Sequence, residues 1–301
     1  MAEISATLVK ELREKTGVGM MDCKKALNEA NGDLEQAAEL LRKKGMAKAA
    51  AKSSRAATEG LVGANVTSDA KRGVLVEVNC ETDFVARNEE FTGLVNQIAE
   101  YLVNKAPANE GTGADLSALP SWESGKTVDE TIKEKIQKTG ENINIRRFVR
   151  YERSGEGTIA SYIHLGGKIG VLVELSGSGN LAEVAKDVAM HIAASQPQCI
   201  RREEVPADQV EKEREILLAQ PDLQSKPENV RAKMVEGRIG KFYEQICMLE
   251  QPFVKDPSNT VGELLKKHGA DVVRFTRYGL GEGLEKKSDN FAEEVASYMK
   301  G

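Results

Sequence analysis

The stretch VEVNCETDFVARNEEF, residues 76–91, combines an acid and a large aromatic ring at one corner of the chain, Asp83-Phe84. The alternation of Val, Glu and Val at its start predicts a strand, and Asn88 can cap the amphipathic helix that follows. A phenylalanine in such a polar corner either packs over its own sheet or remains exposed. The first alternative is ordinary local packing, and the second predicts a contact with another molecule.

Side chains suited to catalysis or metal binding are scarce. The three histidines lie on different predicted elements without the spacing of a metal site: His164, His191 and His268. His191 stands among apolar helix residues, which is typical of a packed core histidine. The carboxylates occur mainly as i,i+4 partners of Lys and Arg on helix faces. The sequence therefore predicts no enzyme, no bound metal and no cofactor.

A glycine loop, GSGNLA at 177–182, matches the G-x-G-x-x-A dinucleotide fingerprint. Its context argues against a nucleotide site, because the preceding strand belongs to a predicted hairpin and no strand ending in an acid follows about 20 residues later. The chain also has no G-x-x-x-x-G-K-S/T loop. We therefore expect no direct nucleotide binding, and an NAD-type enzyme remains only as an alternative.

The charge balance argues against a general nucleic-acid binder. Acidic residues outnumber basic ones, 47 to 42, for a net charge of -5, whereas a nucleic-acid footprint is basic. The exception is the basic segment 42–55, since no acidic residue occurs between Glu39 and Glu59. A solvated linker explains this run best, and an RNA- or ribosome-binding protein that uses it is the alternative.

Location and redox state follow from two further features. No apolar run approaches the roughly 20 residues of a membrane span, and the start MAE begins no signal peptide, so we expect a cytoplasmic protein without membrane contact. The four cysteines are widely separated and include no C-x-x-C pair: Cys23, Cys80, Cys199 and Cys247. That distribution predicts buried, reduced thiols rather than a disulfide framework or a zinc site.

The elements that must position these residues begin with a compact three-helix unit, predicted for residues 1–45. Apolar residues recur at helical spacing in three short segments separated by turn signals. Gly45 is expected to end the third helix. The next residues, 46–59, are rich in Ala, Ser and Lys and predict a partly helical, solvated linker.

From residue 60 onward the chain contains an internal duplication. GLVGANVTSDAKRGVLVEV (60–78) aligns without gaps on GTIASYIHLGGKIGVLVEL (157–175), and RFVRY recurs later as RFTRY. Each copy predicts a β-hairpin, a corner, two helices and a returning strand, which is an α+β arrangement of small antiparallel sheets covered by helices. The two copies span 60–151 and 152–278, and a C-terminal helical module is expected over 279–301.

The two copies differ in two places. The second contains an insertion at about 207–249 whose apolar periodicity predicts a pair of antiparallel helices joined across QPDLQSKP. Its hydrophobic stripe is expected to include Leu217, Leu218, Val230 and Ile239. The opening corner also differs, since residues 79–83 of the first copy align with the bland SGSGN of the second. This asymmetry predicts that the Asp83-Phe84 corner is specialised.

Four motifs give the chain a family resemblance. They are LVKELREKTGVGMMDCKKALNEANGD (8–33), EVNCETDFVA (77–86), TGENINIRR (139–147) and FVKDPSNTVGELLK (253–266). Together they closely resemble bacterial translation elongation factor Ts over essentially the whole chain. The resemblance implies an N-terminal ubiquitin-associated (UBA)-like helical domain, a duplicated core, an inserted helical hairpin and a C-terminal helical module, in agreement with the prediction from the residues.

The resemblance also implies a function, guanine-nucleotide exchange on elongation factor Tu in its GDP-bound and nucleotide-free states. In the family, the T-D-F-V corner enters the partner's nucleotide-binding domain and disturbs its magnesium and phosphate contacts. The matching residues here are Thr82, Asp83, Phe84 and Val85. On this interpretation Phe84 is a wedge that becomes buried only in the partner, and packing over its own sheet remains the alternative.

Further partner contacts are implied by the resemblance alone. They are Arg13, Met20 and Met21 in the N-terminal unit, Gly140 near the returning strand, and His164 in the second hairpin. The adjacent methionines suit an adaptable apolar contact, although core packing by one of them is equally compatible with the sequence. A 2:2 assembly with elongation factor Tu is also compatible with it.

Overall fold

Residues 4–284 are described by the computed structural model and form the predicted α+β fold, in which helices cover small antiparallel sheets. The predicted C-terminal helical module, 279–301, lies outside the described residues from 285 onward. None of the helices within the described part of the chain is long and apolar enough to cross a membrane.

The N-terminal unit is the predicted bundle of three helices. They are α1 (Ala6–Thr16), α2 (Met20–Glu29) and α3 (Leu34–Lys52). Ser5 caps α1 by accepting a hydrogen bond from a first-turn amide at 3.2 Å, and Gly17 ends the helix at a φ of 69°, which glycine adopts without strain. The small core between the helices is centred on Leu12, Cys23 and Leu27, all fully buried.

Helix α3 does not end at Gly45, so the predicted helix stop was wrong. The helix continues to Lys52 because its second half packs on the first copy of the repeat: Ala49 is 1% exposed and belongs to that copy's core. The side chain of Gln137 lies over Gly45, where an added Cβ would be 1.8 Å from its Oε1 atom. Gly45 therefore allows a close approach inside a helix that neighbouring alanines favour.

The first copy is a four-stranded antiparallel sheet covered by helices. Its elements are β1 (Glu59–Val66), β2 (Arg72–Cys80), α4 (Asp83–Ala86), α5 (Glu89–Lys105), β3 (Glu110–Gly111), α6 (Gly113–Leu116), α7 (Val128–Thr139) and β4 (Ile143–Glu152). The strand order is β1-β2-β4-β3. Helix α5 packs on the sheet because Phe91, Ile98 and Leu102 share one face and are buried.

The second copy repeats this plan and contains the predicted insertion. Its elements are β5 (Gly157–His164), β6 (Ile169–Gly177), α8 (Ala182–Ser195), α9 (Ala207–Leu218), α10 (Pro221–Gln224), α11 (Glu228–Ile246), β7 (Pro252–Phe253), β8 (Asp256–Thr260), α12 (Val261–Lys267) and β9 (Ala270–Gly279). Its main sheet has the order β5-β6-β9, and β7 and β8 form a separate two-stranded sheet.

The duplication extends to the details of strand pairing. The register of β2 against β4 shifts between Glu77 and Val78, and the register of β6 against β9 shifts between the aligned residues Glu174 and Leu175. A bulge bends and twists a strand at one position. Its presence at the same place in both sheets confirms that the copies share a backbone plan as well as a sequence pattern.

The two sheets pack on each other through reciprocal contacts. The guanidinium of Arg147 in β4 lies 4.1 Å from the ring centroid of Tyr278 in β9, and its counterpart Arg274 lies 4.1 Å from the ring of Tyr151. Apolar residues of both sheets fill the layer between them. Reciprocal contacts of this kind are typical of a two-fold symmetric interface, formed here within one chain. The apolar layer between the sheets joins the two copies.

The insertion is the predicted antiparallel helical hairpin of α9 and α11. Its predicted hydrophobic stripe was partly wrong, because Leu218 and Val230 are 39% and 40% exposed. Leu223 of the short helix α10 is fully buried between the long helices instead. This residue lies in QPDLQSKP, where the two prolines had indicated only a turn.

Candidate partner-binding site

The corner between β2 and α5 is one capped helical turn, α4. Thr82 is the N-cap of α4 and accepts a hydrogen bond from the amide of Val85 at 3.4 Å. Asn88 begins α5, as predicted, by accepting a hydrogen bond from the amide of Glu90 at 2.8 Å. These caps satisfy amides that a helix start leaves without partners, so the corner has a defined conformation of its own.

The carboxylate of Glu141 holds this corner from the side of β4. Its Oε2 atom accepts hydrogen bonds from the amides of Glu81 and Thr82 at 3.1 and 3.0 Å, and its Oε1 atom accepts one from the Thr82 hydroxyl at 2.6 Å. The Glu81 carboxylate accepts a hydrogen bond from the amide of Asn142 at 2.6 Å in return. Hydrogen bonds to carboxylates are strong, so the corner is fixed to the start of β4.

Sequence reasoning missed Glu141, although the duplication contains a signal for it. Aligning RFVRY (147–151) with RFTRY (274–278) matches Glu141 with His268. His268 lies within hydrogen-bond distance, 2.9 Å, of the carbonyl of Leu264 at the end of its own helix. A carboxylate in one copy and a different residue in the other is the same kind of asymmetry that first indicated the corner.

Phe84 projects from the corner into solvent. It is 84% exposed, the largest exposed fraction among the exposed large apolar residues in the described part of the chain. The alternative that its ring packs over its own sheet is therefore wrong. The next residue, Val85, is half-buried against the core of the first copy, and Ala86 is buried. The aromatic ring thus stands on an anchored turn.

The carboxylate of Asp83 is paired only weakly within the chain. Its Oδ2 atom lies 2.8 Å from Nη2 of Arg87, and the side chains are 41% and 80% exposed, respectively. An exposed i,i+4 ion pair contributes only about 0.3–0.5 kcal/mol. The carboxylate is therefore available to a stronger cation or hydrogen-bond donor at small cost.

A groove of about 600 Å³ lies beside the corner, between the first copy and the hairpin turn of the second. Asp83 and Arg87 contribute to its first-copy wall, and Ile163, Leu165 and Lys168 contribute to the opposite wall. Leu165 is 66% exposed and Ile163 is 38% exposed. Apolar surface bordered by charged side chains is typical of a protein-binding site.

His164 ends β5 between two residues that line this groove, Ile163 and Leu165, but it is not itself a lining residue. Its ring stacks on Tyr162 with the centroids 5.7 Å apart, and its Nδ1 atom is 3.0 Å from the tyrosine hydroxyl. The His164 side chain is exposed. The fold therefore does not place this predicted contact residue in the groove that Asp83 lines, and its role stays a prediction.

The predicted contact residues of the N-terminal unit are all exposed. Met20 and Met21 begin α2 and are 50% and 69% exposed, so neither is a core residue. Arg13, on α1, is also exposed. Because methionine is flexible and polarisable, adjacent exposed methionines suit an adaptable binding surface.

Gly140 supports the corner through the backbone. It ends α7 at a φ of 82°, a left-handed conformation that costs glycine little. The residue that follows this turn is Glu141, whose carboxylate reaches the corner. The carbonyl of Gly140 also accepts a hydrogen bond from Nζ of Lys52 at 2.5 Å. Gly140 is itself exposed, and its predicted contact with the partner stays a prediction.

His191, the glycine loop and the possible metal ligands do not have the geometry of a catalytic, nucleotide or metal site. His191 is fully buried with its Nε2 atom 2.9 Å from Oε1 of Gln251, and burial lowers its pKa. The strand before the glycine loop, β6, is antiparallel to both β5 and β9, unlike a dinucleotide-binding βαβ unit. Among residues 4–284, no three His, Cys, Asp or Glu side chains form a group able to hold a metal.

Comparison with known proteins identifies the family. Residues 81–282, which begin at the corner, match the family model described as Elongation factor TS. The chain belongs to the elongation factor Ts family. Proteins named Elongation factor Ts from Alkalilimnicola ehrlichii and Thioalkalivibrio sulfidiphilus are 51% and 52% identical to it over 299 residues, and one from Methylococcus capsulatus is 52% identical over 297 residues. Each alignment covers 99% of this chain and 99% of the relative.

This membership confirms the resemblance predicted from the four motifs. It supports a role in protein biosynthesis as a nucleotide exchange factor for elongation factor Tu.

Proposed function

We propose that this chain releases guanine nucleotide from elongation factor Tu by inserting residues 82–85 into the partner's nucleotide-binding domain. The observation that carries the proposal is the 84% exposure of Phe84 on a corner that Glu141 already fixes. A large apolar side chain on a preorganised turn gains burial when it binds and loses little conformational freedom.

Exchange of this kind needs no nucleotide site on the exchange factor. A protein that binds the nucleotide-free partner most tightly must weaken nucleotide binding by the same factor. It must also bind the GDP-bound partner, because release starts from that complex. The chain would therefore change the occupancy of the partner's site without making or breaking a covalent bond, and we propose that it does so in the cytoplasm.

The four corner residues have different roles in this mechanism. Thr82 and Val85 hold the turn, since the first accepts and donates hydrogen bonds within the corner and the second packs on the core. Phe84 enters an apolar site in the partner, and burial of such a side chain stabilises a complex by about 2–3 kcal/mol. Asp83 exchanges its weak pair with Arg87 for a cation or donor near the nucleotide's magnesium.

The magnitude is sufficient for exchange. A stabilisation of about 2–3 kcal/mol that exists only when the nucleotide has left corresponds to a roughly 30- to 150-fold weaker nucleotide complex. Any contribution from Asp83 adds to this factor. The remaining affinity for the partner comes, in this proposal, from Arg13, Met20 and Met21 on the N-terminal unit and from the exposed His164 at the end of β5.

The alternative of an RNA- or ribosome-binding protein is disfavoured by the surroundings of the basic segment 42–55. Arg42 lies 3.8 Å from a carboxylate oxygen of Glu130, and Arg55 lies 3.6 Å from one of Glu81. Lys43 and Lys44 also face acids, with Nζ 2.7 Å from Glu39 and 2.5 Å from Glu29. Acids from the same and neighbouring elements thus interrupt the positive charge of this segment, so it is not the concentrated basic patch of a nucleic-acid binder.

The test is the release of labelled GDP from elongation factor Tu, followed with and without this chain. We expect the chain to accelerate release, to act at substoichiometric amounts and to show no uptake of GDP itself. Release at the spontaneous rate would refute the proposal. The same mixtures, measured by light scattering, test the proposed 2:2 assembly, and the mass of one copy of each protein would exclude that assembly while leaving the exchange mechanism intact.

A further inference from the structure

Two of the four cysteines, far apart in the sequence, meet at the base of the inserted helical hairpin. The Sγ atoms of Cys199 and Cys247 are 3.4 Å apart across a sequence separation of 48. Cys199 lies after α8, where the chain leaves the core, and Cys247 ends α11, where it returns. Neither residue belongs to the partner-binding corner or its groove.

The backbone already holds these residues at a bridging separation. Cys199 and Cys247 form a parallel β-bridge, in which the amide of Cys199 donates to the carbonyl of Ile246 at 3.3 Å and the amide of Met248 donates to the carbonyl of Cys199 at 2.9 Å. Bridged strands lie about 4.8 Å apart, and disulfides join residues whose Cα atoms are about 4.4–6.8 Å apart. A bond between the thiols therefore needs side-chain rotation and no rearrangement of the chain.

The two thiols differ in access. Cys247 is fully buried, whereas Cys199 is partly exposed and lines an open cleft of about 650 Å³ together with Glu204 and Arg277. A small oxidant can reach Cys199 from this cleft, and Cys247 is then the nearest thiol. An accessible cysteine next to a second, resolving cysteine is the geometric part of a redox-sensitive site. The low thiol pKa that makes such sites react quickly is absent here.

We propose that Cys199 and Cys247 form a reversible disulfide that closes the base of the helical hairpin. The oxidant is a low-molecular-weight disulfide. The deprotonated sulfur of Cys199 attacks it, forms a mixed disulfide and releases one thiol; deprotonated Cys247 then attacks the Cys199 sulfur and releases the second thiol. In total, two cysteine thiols are oxidised to one disulfide, and one small disulfide is reduced to two thiols that take up the two protons.

The surroundings of the pair make this reaction slow at neutral pH. Burial, the neighbouring Cys199 and the carboxylate of Glu250 raise the pKa of Cys247 to about 12, against the opposing effect of Arg202. Burial also raises the pKa of Cys199, helped by Glu204 and Glu250 and opposed by its hydrogen bond with Cys247. Because the thiolate is the attacking species, we expect the pair to remain reduced through brief oxidation and to close during prolonged exposure.

Formation of the disulfide would affect the helical hairpin rather than the partner-binding corner. The bond would join the two ends of the inserted segment, so separation of 198–200 from 246–249 would require breaking it. We expect the amides of Cys199 and Met248 to exchange hydrogen on the order of tenfold more slowly in the oxidised protein, because the disulfide suppresses local opening. Release of GDP from the partner should change little.

The experiment incubates the full chain in buffers of increasing oxidised-to-reduced glutathione ratio, blocks free thiols by alkylation and maps the peptides by mass spectrometry. We expect a Cys199–Cys247 linked peptide that increases with the ratio and disappears with dithiothreitol. Cys247→Ser should instead accumulate glutathione on Cys199. A Cys23→Ser, Cys80→Ser double variant should form the link unchanged, since those two thiols lie elsewhere in the fold.

Three results would overturn the proposal. They are glutathione retained on Cys199 of the natural sequence without the link, full alkylation of both cysteines after prolonged incubation in buffers where glutathione is mostly oxidised, and links to Cys23 or Cys80 in equal yield. All three results are read on the natural sequence, so they do not depend on whether a variant folds.

Discussion

Phe84 and Leu181 occupy the same position in the two copies of the repeat, yet Phe84 is 84% exposed and Leu181 is 4% exposed. Leu181 packs in the core of the second copy at the start of α8. The larger apolar side chain of the two is the one left in water. A residue that contributes little to the stability of its own fold, on a corner fixed by other residues, is suited to act in a complex.

Phe84→Ala should slow catalysed GDP release by on the order of tenfold or more, since it removes about 2–3 kcal/mol of burial in the complex. The melting temperature of the free chain should hardly change, because the ring is exposed. Asp83→Ala should act in the same direction with a smaller effect. The measurements are stopped-flow release of labelled GDP and thermal unfolding of each variant.

Leu181→Ala is the matched control for Phe84→Ala. It should destabilise the chain by about 2–5 kcal/mol, as other buried leucines do, and leave exchange per folded molecule unchanged. An early-melting Phe84→Ala variant with intact exchange per folded molecule would contradict the wedge and make the ring a structural residue.

Glu141→Ala should impair exchange although the residue is not proposed to touch the partner. The change removes three hydrogen bonds from the backbone and side chain of residues 81–82, so the corner becomes mobile and must be ordered on binding. Hydrogen exchange of the amides over 81–86 should accelerate in the free chain, and the variant should release GDP several-fold more slowly. His268→Ala, at the aligned position, should change neither quantity. A normal rate of GDP release, together with faster hydrogen exchange at the corner amides, would show that preorganisation of the corner is unimportant.

Glu77 should make the stability of the core depend on acid pH. Burial alone would raise the pKa of this carboxyl, but hydrogen bonds from the Gly281 amide at 2.8 Å and from Arg146 and Arg147 at 2.9 and 2.7 Å outweigh burial and lower its pKa. The resulting stabilisation is complete above the ordinary glutamate pKa of about 4.3 and is lost as pH falls through the lower folded-state pKa.

Glu77→Gln therefore should lower the free energy of unfolding by about 3–5 kcal/mol near neutral pH, because it leaves two guanidinium groups without their buried partner. The loss of stability towards acid should also become shallower. Urea unfolding between about pH 3 and pH 7 measures both effects. Glu282→Gln is the control, since that side chain is 57% exposed and lies 3.7 Å from Arg147. An equal loss in both variants would mean that burial of Glu77 is not decisive.

Replacing residues 207–245 by a short Gly/Ser linker should preserve cooperative unfolding of the core. The hairpin has its own apolar centre, and the predicted corner lies in the other copy, so exchange should fall only modestly. Replacing 207–249 instead should destabilise the chain, because Met248 is fully buried in the core of the second copy. Circular dichroism during urea unfolding distinguishes the two. Loss of the fold in the shorter replacement would show that the insertion is part of the core.

Deleting residues 1–45 should leave a folded core that binds elongation factor Tu at least about tenfold more weakly, as expected for the loss of an anchoring surface. The Met20→Ala, Met21→Ala double variant tests the same surface without removing the helices. Both side chains are exposed, so its melting temperature should stay close to that of the natural sequence. Full affinity and exchange in the truncated chain would contradict the anchoring role.

The sequence by itself determined the hairpin, main helices and returning strand of each copy, their order and the location of the unusual corner, but it did not predict α10 or the two-stranded sheet of β7 and β8. Period-two and helical spacing predict strands and helices from neighbours a few residues apart, and the duplicated stretches 60–78 and 157–175 repeat that information. The insertion was visible for the same reason, because one copy contains residues that the other lacks. The T-D-F-V corner was visible because it differs from the aligned glycine loop.

The tertiary structure alone decided which of these residues are buried, paired or exposed. Gly45 continues a helix because Gln137 lies over it, the corner is held by Glu141 about 60 residues away, and Cys199 meets Cys247 across a separation of 48. Contacts at such separations depend on how the chain closes its loops, and they leave no periodic signal in the local sequence. For the same reason only packing could distinguish an exposed Phe84 from a buried Leu181, since both are apolar residues at the start of a helix.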